Sequence, residues 1–369
     1  MIPNRQGPLR VAMVTAFAYP LMAGIATHVH EVATHLGAAG VDVTVLTTDR
    51  TWDLPVEEQL PGYRVRRWRA YPRSRDYYLA PGLARHLLRA DDYDIVHVEG
   101  VHSLVAPVAL AAARRAGIPS VLTLHTGGHS SALRNSLRPL QWRLLRPLLR
   151  STLIVATGEN ERDIFAAVLK DTEGTIRLIR NGSEPLPIDR SAEAPEGSPL
   201  LVSVGRFERF KGHHRILRAL PAILAQAPDA RLVLVGAGPY EQPLRAMASQ
   251  LGVGDRVSVR TFGPERRGAM GKLIADADVF CLLSEYEGHP MAVLEALGAG
   301  TKVLLAESPG LAELGRAGLA TTVALEAPPE QVATAALAVA AAPRMAPPVL
   351  PSWADCAEEY RRLYHEVAA

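Results

Sequence analysis

The run Val279-Phe280-Cys281-Leu282-Leu283 is short and wholly apolar, the length of a buried strand rather than a helix. A polar loop follows, Ser284-Glu285-Tyr286-Glu287-Gly288-His289-Pro290, and residues 291–297 then have helical composition until Gly298-Ala299-Gly300 stops them. The same strand–loop–helix alternation runs through most of the chain. Strands are expected at 9–17, 41–46, 94–98, 120–125, 152–156 and 176–179, and again at 200–205, 231–236, 257–261, 302–306 and 321–325. Helices are expected at 28–37, 104–116, 133–149, 214–226, from 265 to about 275, and at 330–342 and 353–367. Such alternation specifies an α/β protein with doubly wound parallel sheets. In these sheets ligands bind at the carboxyl ends of the strands.

A chain of 369 residues is long enough for two such domains. The stretch 185–199 is rich in Pro, Ser, Glu and Gly and reads as a linker, which divides the chain into 1–184 and 185–351. Charge changes across the chain. Residues 1–180 hold 22 Lys+Arg against 16 Asp+Glu, and the rest hold 18 against 22. The overall net charge of +2 argues against a dedicated nucleic-acid binder. Two cysteines, Cys281 and Cys356, make no disulfide framework. No signal peptide precedes the first strand and no apolar run is long enough to span a bilayer, so a cytoplasmic location is expected.

Three features converge on the carboxyl edge of the second sheet. Gly205-Arg206 and Lys211-Gly212 put two cations on a glycine-bounded loop that opens a helix, an arrangement suited to a diphosphate. Phe262-Gly263-Pro264 is a turn whose backbone can read a nucleobase edge. Glu287 and Glu295 flank the strand–helix turn and can accept hydrogen bonds from sugar and ribose hydroxyls. They can equally be solvated charges on a loop and a helix. No Walker loop occurs.

In the first half, Gly24 is the one glycine after the opening strand, where a backbone can approach a phosphate. The strands at 94–98 and 120–125 deliver His97 and His125 near their carboxyl ends, with Glu99 just beyond the first. His125 and His129 have no Cys, Asp or Glu at ligand spacing, so no metal site is expected, and His125 reads as a substrate contact or the support of one. Residues 50–75 read as irregular. Their arginines, interleaved with Tyr63, Trp68 and Tyr71, suit an anionic acceptor or membrane surface, or an edge strand with one solvated face. The segment 133–150, with Trp142, Arg134, Arg138, Arg143, Arg146 and Arg150, reads as a basic amphipathic helix interrupted by Pro139 and Pro147. It either lies on an anionic membrane or packs on its own domain.

Taken in order, these motifs resemble family 4, the glycogen-synthase-like (group 1) retaining glycosyltransferases of the GT-B fold. Glu287 and Glu295 match the family's Glu-x7-Glu motif, and Gly205, Arg206, Lys211 and Gly212 match its Gly-Arg…Lys-Gly loop. Ala23-Gly24 matches its first glycine loop in part. Asp94-Ile95-Val96-His97, His125, Asn181-Gly182-Ser183-Glu184 and Ser352-Trp353…Tyr360 match further stretches in sequence. The resemblance implies two facing Rossmann-like domains with a cleft between them. The first would be the acceptor-side domain, completed by the helix 352–369. The second would bind a nucleotide sugar, with UDP- or GDP-sugars the expected co-substrates and no cofactor or metal required. Arg206 and Lys211 would hold the diphosphate, Glu295 the ribose and Glu287 the sugar, with His125 at the sugar or the reacting centre. Gly24, Gly205, Phe262, Gly263, Gly288, His289, Met291, Ala292, Val293 and Glu295 form the implied donor site, and His97 and His129 lie on the acceptor side. The acceptor would be a lipid-linked glycan or a small molecule. Gly288-His289-Pro290-Met291 departs from the family's Gly-Phe-Gly-Leu, which bears on the sugar's identity. Two other readings fit the same residues: an epimerase or hydrolase drawing on His97, His125 and Glu99, and a non-catalytic sugar-nucleotide-binding module.

Overall fold

The computed structural model describes residues 7–21, 24–73, 78–89, 92–101, 103–125, 132–171, 174–193, 195–344 and 346–368, with the backbone alone at 132–139 and 264. The chain divides into two compact units. The first takes in Met1–Thr126, Leu133–Gly182 and Pro351–Ala369, and the second Ser183–Leu350.

The first unit opens with β1 (Arg10–Thr15), α1 (Gly24–Ala38) and β2 (Asp42–Asp49). Then come β3 (Glu57–Leu60), β4 (Tyr63–Arg69), α2 (Pro81–Arg89), β5 (Ile95–Glu99), α3 (Val105–Ala116) and β6 (Ser120–Thr123). The unit continues through α4 (Ala132–Leu149), β7 (Leu153–Ala156), α5 (Glu159–Leu169) and β8 (Arg177–Leu178). The strands lie in the order β3-β4-β2-β1-β5-β6-β7-β8. All neighbours are parallel except β3 and β4. The apolar runs are buried as the pattern requires, with Val11 to Val14 of β1 at 0% exposure.

The second unit contains β9 (Leu200–Val204), α6 (His213–Leu224), β10 (Arg231–Val235), α7 (Glu241–Gln250), β11 (Val257–Arg260) and α8 (Arg267–Asp276). It closes with β12 (Val279–Leu282), α9 (Met291–Gly298), β13 (Val303–Glu307), α10 (Ala312–Arg316), β14 (Thr321–Ala324) and α11 (Pro329–Ala341). Its sheet order is β11-β10-β9-β12-β13-β14, and every pairing is parallel. The final helix, α12 (Trp353–Ala368), packs on α1 of the first unit. Its Trp353 backbone lies 2.5 Å from where a Cβ on Gly182 would stand, so only glycine admits it there.

Several expectations change. Residues 57–69 are not irregular: β4 pairs with seven residues of β2, and β3 caps the sheet edge. The charged alternation hid a strand whose Tyr63, Val65 and Arg67 point inward. Gly24 begins α1 instead of lying in the loop before it. Helix α4 runs unbroken through Pro139 and Pro147. The stretch 185–199 has no regular element, yet it is not a free linker, since Leu186 belongs to the second core and a Cβ on Gly271 would strike the Pro187 carbonyl at 2.2 Å. Helices α2, α5, α7 and α10 were not foreseen.

Candidate active site

Both sheets reverse strand order beside their first strand, between β1 and β5 and between β9 and β12. Such a switch point opens a crevice at the carboxyl ends of the two strands concerned. In the second unit the loops leaving β9 and β12 carry Gly205–Gly212 and Ser284–Pro290.

These two loops are joined. Gly212 adopts φ +74°, and a Cβ on it would stand 1.9 Å from the Leu283 carbonyl oxygen, so a side chain there would push the loops apart. The Glu285 amide donates to the Phe210 carbonyl at 2.8 Å, and the Phe210 and Tyr286 rings stack at 4.7 Å. Within this frame Lys211 Nζ donates to both carboxylate oxygens of Glu287, at 2.8 Å each. The Ser284 hydroxyl donates to Glu287 Oε1 at 2.7 Å. Glu287 is 7% exposed, so it is not a solvated loop charge. A carboxylate this buried needs such donors. Arg206 contrasts with it: the side chain is 71% exposed and touches Glu208 at 3.1 Å. An ion pair whose cation is this exposed holds weakly, which leaves the guanidinium able to turn toward an anion.

Helix α6 begins directly behind the cation loop, so its amide dipoles add positive potential there. Its first residue, His213, accepts or donates at Ser203 Oγ (2.8 Å) and is pushed down to about 4 by burial, with the nearby Lys211 charge acting the same way. It is therefore neutral at neutral pH.

Glu295 lies in the middle of α9 and accepts from Arg267 Nη2 at 3.1 Å. The Arg266 guanidinium sits over the Phe262 ring at 5.4 Å. Gly288, His289, Met291 and Ala292 are half-buried around the start of α9. Val293 is different: its side chain is fully buried in the core and its amide donates to the Pro290 carbonyl, which supports the turn.

The first unit has its own cluster at the β1/β5 switch point. Glu99, at the end of β5, has a fully buried side chain with three histidines around it. His125 Nε2 is 2.7 Å from Oε2, His97 Nε2 is 3.3 Å from Oε1, and His28 Nε2 is 3.6 Å from Oε1. Outer contacts orient these rings. His28 Nδ1 meets Asn181 Oδ1 at 2.9 Å. His97 meets Tyr364 Oη at 2.6 Å and Thr123 Oγ1 at 2.7 Å, and Thr123 in turn meets Tyr360 at 2.9 Å. Burial would raise the Glu99 carboxyl, but the neighbouring histidines outweigh it and hold the group well below the usual carboxylate range. Burial pushes His97 down to about 4 against the pull of Glu99. His125 carries φ +48°, a left-handed conformation rare for a residue with a side chain.

Two family models match, one to each half: "Glycosyltransferase Family 4" at residues 22–185 and "Glycosyl transferases group 1" at residues 187–342. A D-inositol 3-phosphate glycosyltransferase from Nocardiopsis dassonvillei is 31% identical over 348 residues, covering 82% of this chain and 80% of the relative. This chain belongs to glycosyltransferase family 4. A GDP-mannose:cellobiosyl-diphosphopolyprenol alpha-mannosyltransferase from Xanthomonas oryzae is 28% identical over 343 residues, 89% of this chain and 88% of that one. Among solved structures, Anabaena Alr3699/HepE in complex with UDP and glucose matches with TM-score 0.68 at 18% identity, covering 97% of this chain and 95% of the other. The fold of this family 4 glycosyltransferase is GT-B, with two parallel-sheet α/β domains. Among the described residues, no helix is long and apolar enough to cross a membrane.

The structure brings Gly205, Arg206, Lys211 and Glu287 to one sheet edge, and it joins His97 and His125 through Glu99. A Cβ on Gly24 would meet nothing within 4 Å, so packing alone does not require glycine there. Ala23 and His129, and with them the His125/His129 pairing, lie outside the described residues. Two participants were missed. Arg267 had a signal, a pair of arginines just after the Phe262-Gly263 turn. His28 had only its place on the apolar face of an amphipathic helix, beside Val32 and Leu36. His28, Glu99 and His125 present metal-ligand atoms within 4.8 Å of one another. Yet two ligands on one tetrahedral zinc stand about 3.3 Å apart, and His125 Nε2 lies 2.7 Å from Glu99 Oε2, the length of a charge-assisted hydrogen bond. The set fits shared protons better than a cation.

Proposed function

We propose that this family 4 glycosyltransferase is a retaining enzyme that moves a hexose from a nucleoside-diphosphate sugar, with UDP or GDP as carrier, to an acceptor hydroxyl. The observation that carries the reading is the Lys211–Glu287 pair beside the exposed charge of Arg206 at the β9/β12 switch point. When the sugar–oxygen bond breaks, negative charge develops on the departing diphosphate. Fixed cations and a helix amino terminus at that point stabilise the transition state more than the ground state. Arg206 and Lys211 take this role, and no metal is needed for it. Glu287 meets the sugar and holds Lys211 in place. Glu295, braced by Arg267, binds the ribose, and the Phe262–Gly263 backbone reads the base. His125 serves the sugar end of the donor, and His97 and His129 belong to the acceptor side. Residues 1–184 with 352–369 act as the acceptor-side domain and 185–351 as the donor domain.

The named activity of the Xanthomonas relative favours a lipid-linked acceptor, and that of the Nocardiopsis relative a small soluble one. The exposed Leu140 and Leu144 of α4, flanked by exposed Arg143, suit peripheral contact with an anionic membrane face from the cytoplasmic side. Trp142 does not contribute, since it is buried against Phe165. The test is a thermal-shift screen with UDP, GDP, ADP and dTDP and their sugars, followed by transfer assays with the stabilising donor. A diphosphate at 100 times its dissociation constant adds about 2.7 kcal/mol of stability. Donor hydrolysis that no acceptor suppresses would replace the transferase reading with a hydrolase. Binding without turnover over the whole acceptor panel would replace it with a binding module.

A further inference from the structure

The first unit's buried cluster has a feature that donor binding does not explain. Glu99 is an ionised carboxylate with no exposed side-chain surface, placed among three imidazoles. Burying such a charge is costly unless it organises its partners. Its shortest contact is with His125, the cluster's most exposed histidine at 8%, held in a left-handed backbone conformation. We propose that Glu99 is a positioning residue for His125: its carboxylate accepts the Nε2 proton, fixing the ring's rotation and tautomer so that Nδ1 is left as the acceptor atom. A carboxylate behind an imidazole performs this service in many sites, because the hydrogen bond on one ring nitrogen decides the state of the other.

The surroundings support the assignment. His28 from α1 and His97 from β5 face Oε1, while His125 alone takes Oε2. Tyr360, Tyr364 and Cys356 of α12 stay protonated, each raised first by its burial and further by the Glu99 charge. Thr123 of β6 and Asn181 hold His97 and His28. His97 and His28 thus have partners of their own, and the carboxylate's shortest contact goes to the most exposed histidine of the cluster.

The inference rests on the reading of His125 as a residue of the sugar end, so its test needs one readout besides turnover. Histidine-selective 15N NMR on the full chain, with His125 assigned by the His125→Asn variant, reports the tautomer directly. His125 should carry its proton on Nε2 in the wild type, and Glu99→Gln should alter that signal. In the transfer assay Glu99→Gln should lower kcat about 10–100-fold with donor KM and nucleoside-diphosphate affinity unchanged. Glu99→Asp should recover part of the loss, and Glu99→Gln should cost nothing further on a His125→Asn background. A wild-type His125 protonated on Nδ1, or losses that multiply in the double variant, would overturn the proposal. The wild-type spectrum decides even if Glu99→Gln does not fold. An Nε2 proton in a chain that transfers no sugar would leave Glu99's role standing and remove the transferase reading instead.

Discussion

Lys211 Nζ stands 2.8 Å from both carboxylate oxygens of Glu287, so the cation expected on the diphosphate and the carboxylate expected on the sugar are one bidentate pair. Its components are mostly buried, at 21% and 9% side-chain exposure. Truncating one side leaves the other charge desolvated and alone, which costs far more than losing a surface contact.

The pair separates the two cations experimentally. Lys211→Ala should destabilise the unliganded protein by about 1–3 kcal/mol, because the Glu287 carboxylate loses its donor. Arg206→Ala should leave the thermal midpoint unchanged, since its side chain is 71% exposed and an ion pair with one end in solvent adds little stability. Both variants should lower transfer about 100-fold or more. Calorimetry and a rate assay on the same preparations check this. An Arg206→Ala variant with wild-type turnover would remove that residue from the site.

Legibility of the site followed the physics of each signal. Lys211 and Glu287 stood out because short apolar strands and glycine-bounded loops are local patterns, and the switch-point rule places them on one edge. Their direct pairing was not readable, since it depends on how deep the β12 loop sits, which Gly212 and the Leu283 carbonyl decide. The β3–β4 edge was hidden because edge strands with charged outer faces look like irregular chain. Val293 had a ligand role by motif position alone, and helical geometry turned its side chain into the core.

Stability should fall as the medium is acidified. His213 has a folded value pushed down to about 4 by burial, against an ordinary 6.5. Between those values the unfolded chain binds a proton that the folded one refuses. The contribution is therefore full above pH 6.5 and drains by about 1.4 kcal/mol per pH unit toward pH 4. His213→Asn should flatten the pH dependence of the unfolding free energy over that window by one proton. An unchanged slope would mean that His213 is protonated in the native state.

Chelation should leave transfer intact, because charge on the leaving group is met by Arg206, Lys211 and the start of α6. Loss of activity in EDTA, restored by Mg²⁺ or Mn²⁺, would move that role to a metal.

Sedimentation with anionic liposomes at low salt should pull down a fraction of the protein. Each cation near such a surface gains about 1 kcal/mol, screened by salt. Leu140→Ser with Leu144→Ser should weaken the binding strongly, because those side chains are exposed apolar surface among the described residues of α4. A protein that stays in the supernatant would point to a soluble acceptor.

The last prediction concerns Glu295 and Arg267, joined at 3.1 Å with 11% and 29% side-chain exposure. If Glu295 binds the ribose hydroxyls, its carboxylate must face the nucleotide at a fixed angle, and Arg267 helps to fix it. Glu295→Ala should weaken both the free nucleoside diphosphate and the intact donor by about 1–3 kcal/mol, since both carry the ribose. Arg267→Ala should weaken the same two ligands in the same proportion, by a smaller factor, because it loosens the carboxylate without removing it. Glu287→Gln behaves differently: it keeps the size of the side chain but drops the charge that steadies Lys211, so turnover falls more than diphosphate affinity. Titration calorimetry with the bare diphosphate, beside donor kinetics, distinguishes the three. Should Arg267→Ala leave diphosphate binding untouched while Glu295→Ala abolishes it, the arginine is only a surface partner. Should neither variant change it, the ribose is held elsewhere and the Glu295 assignment fails.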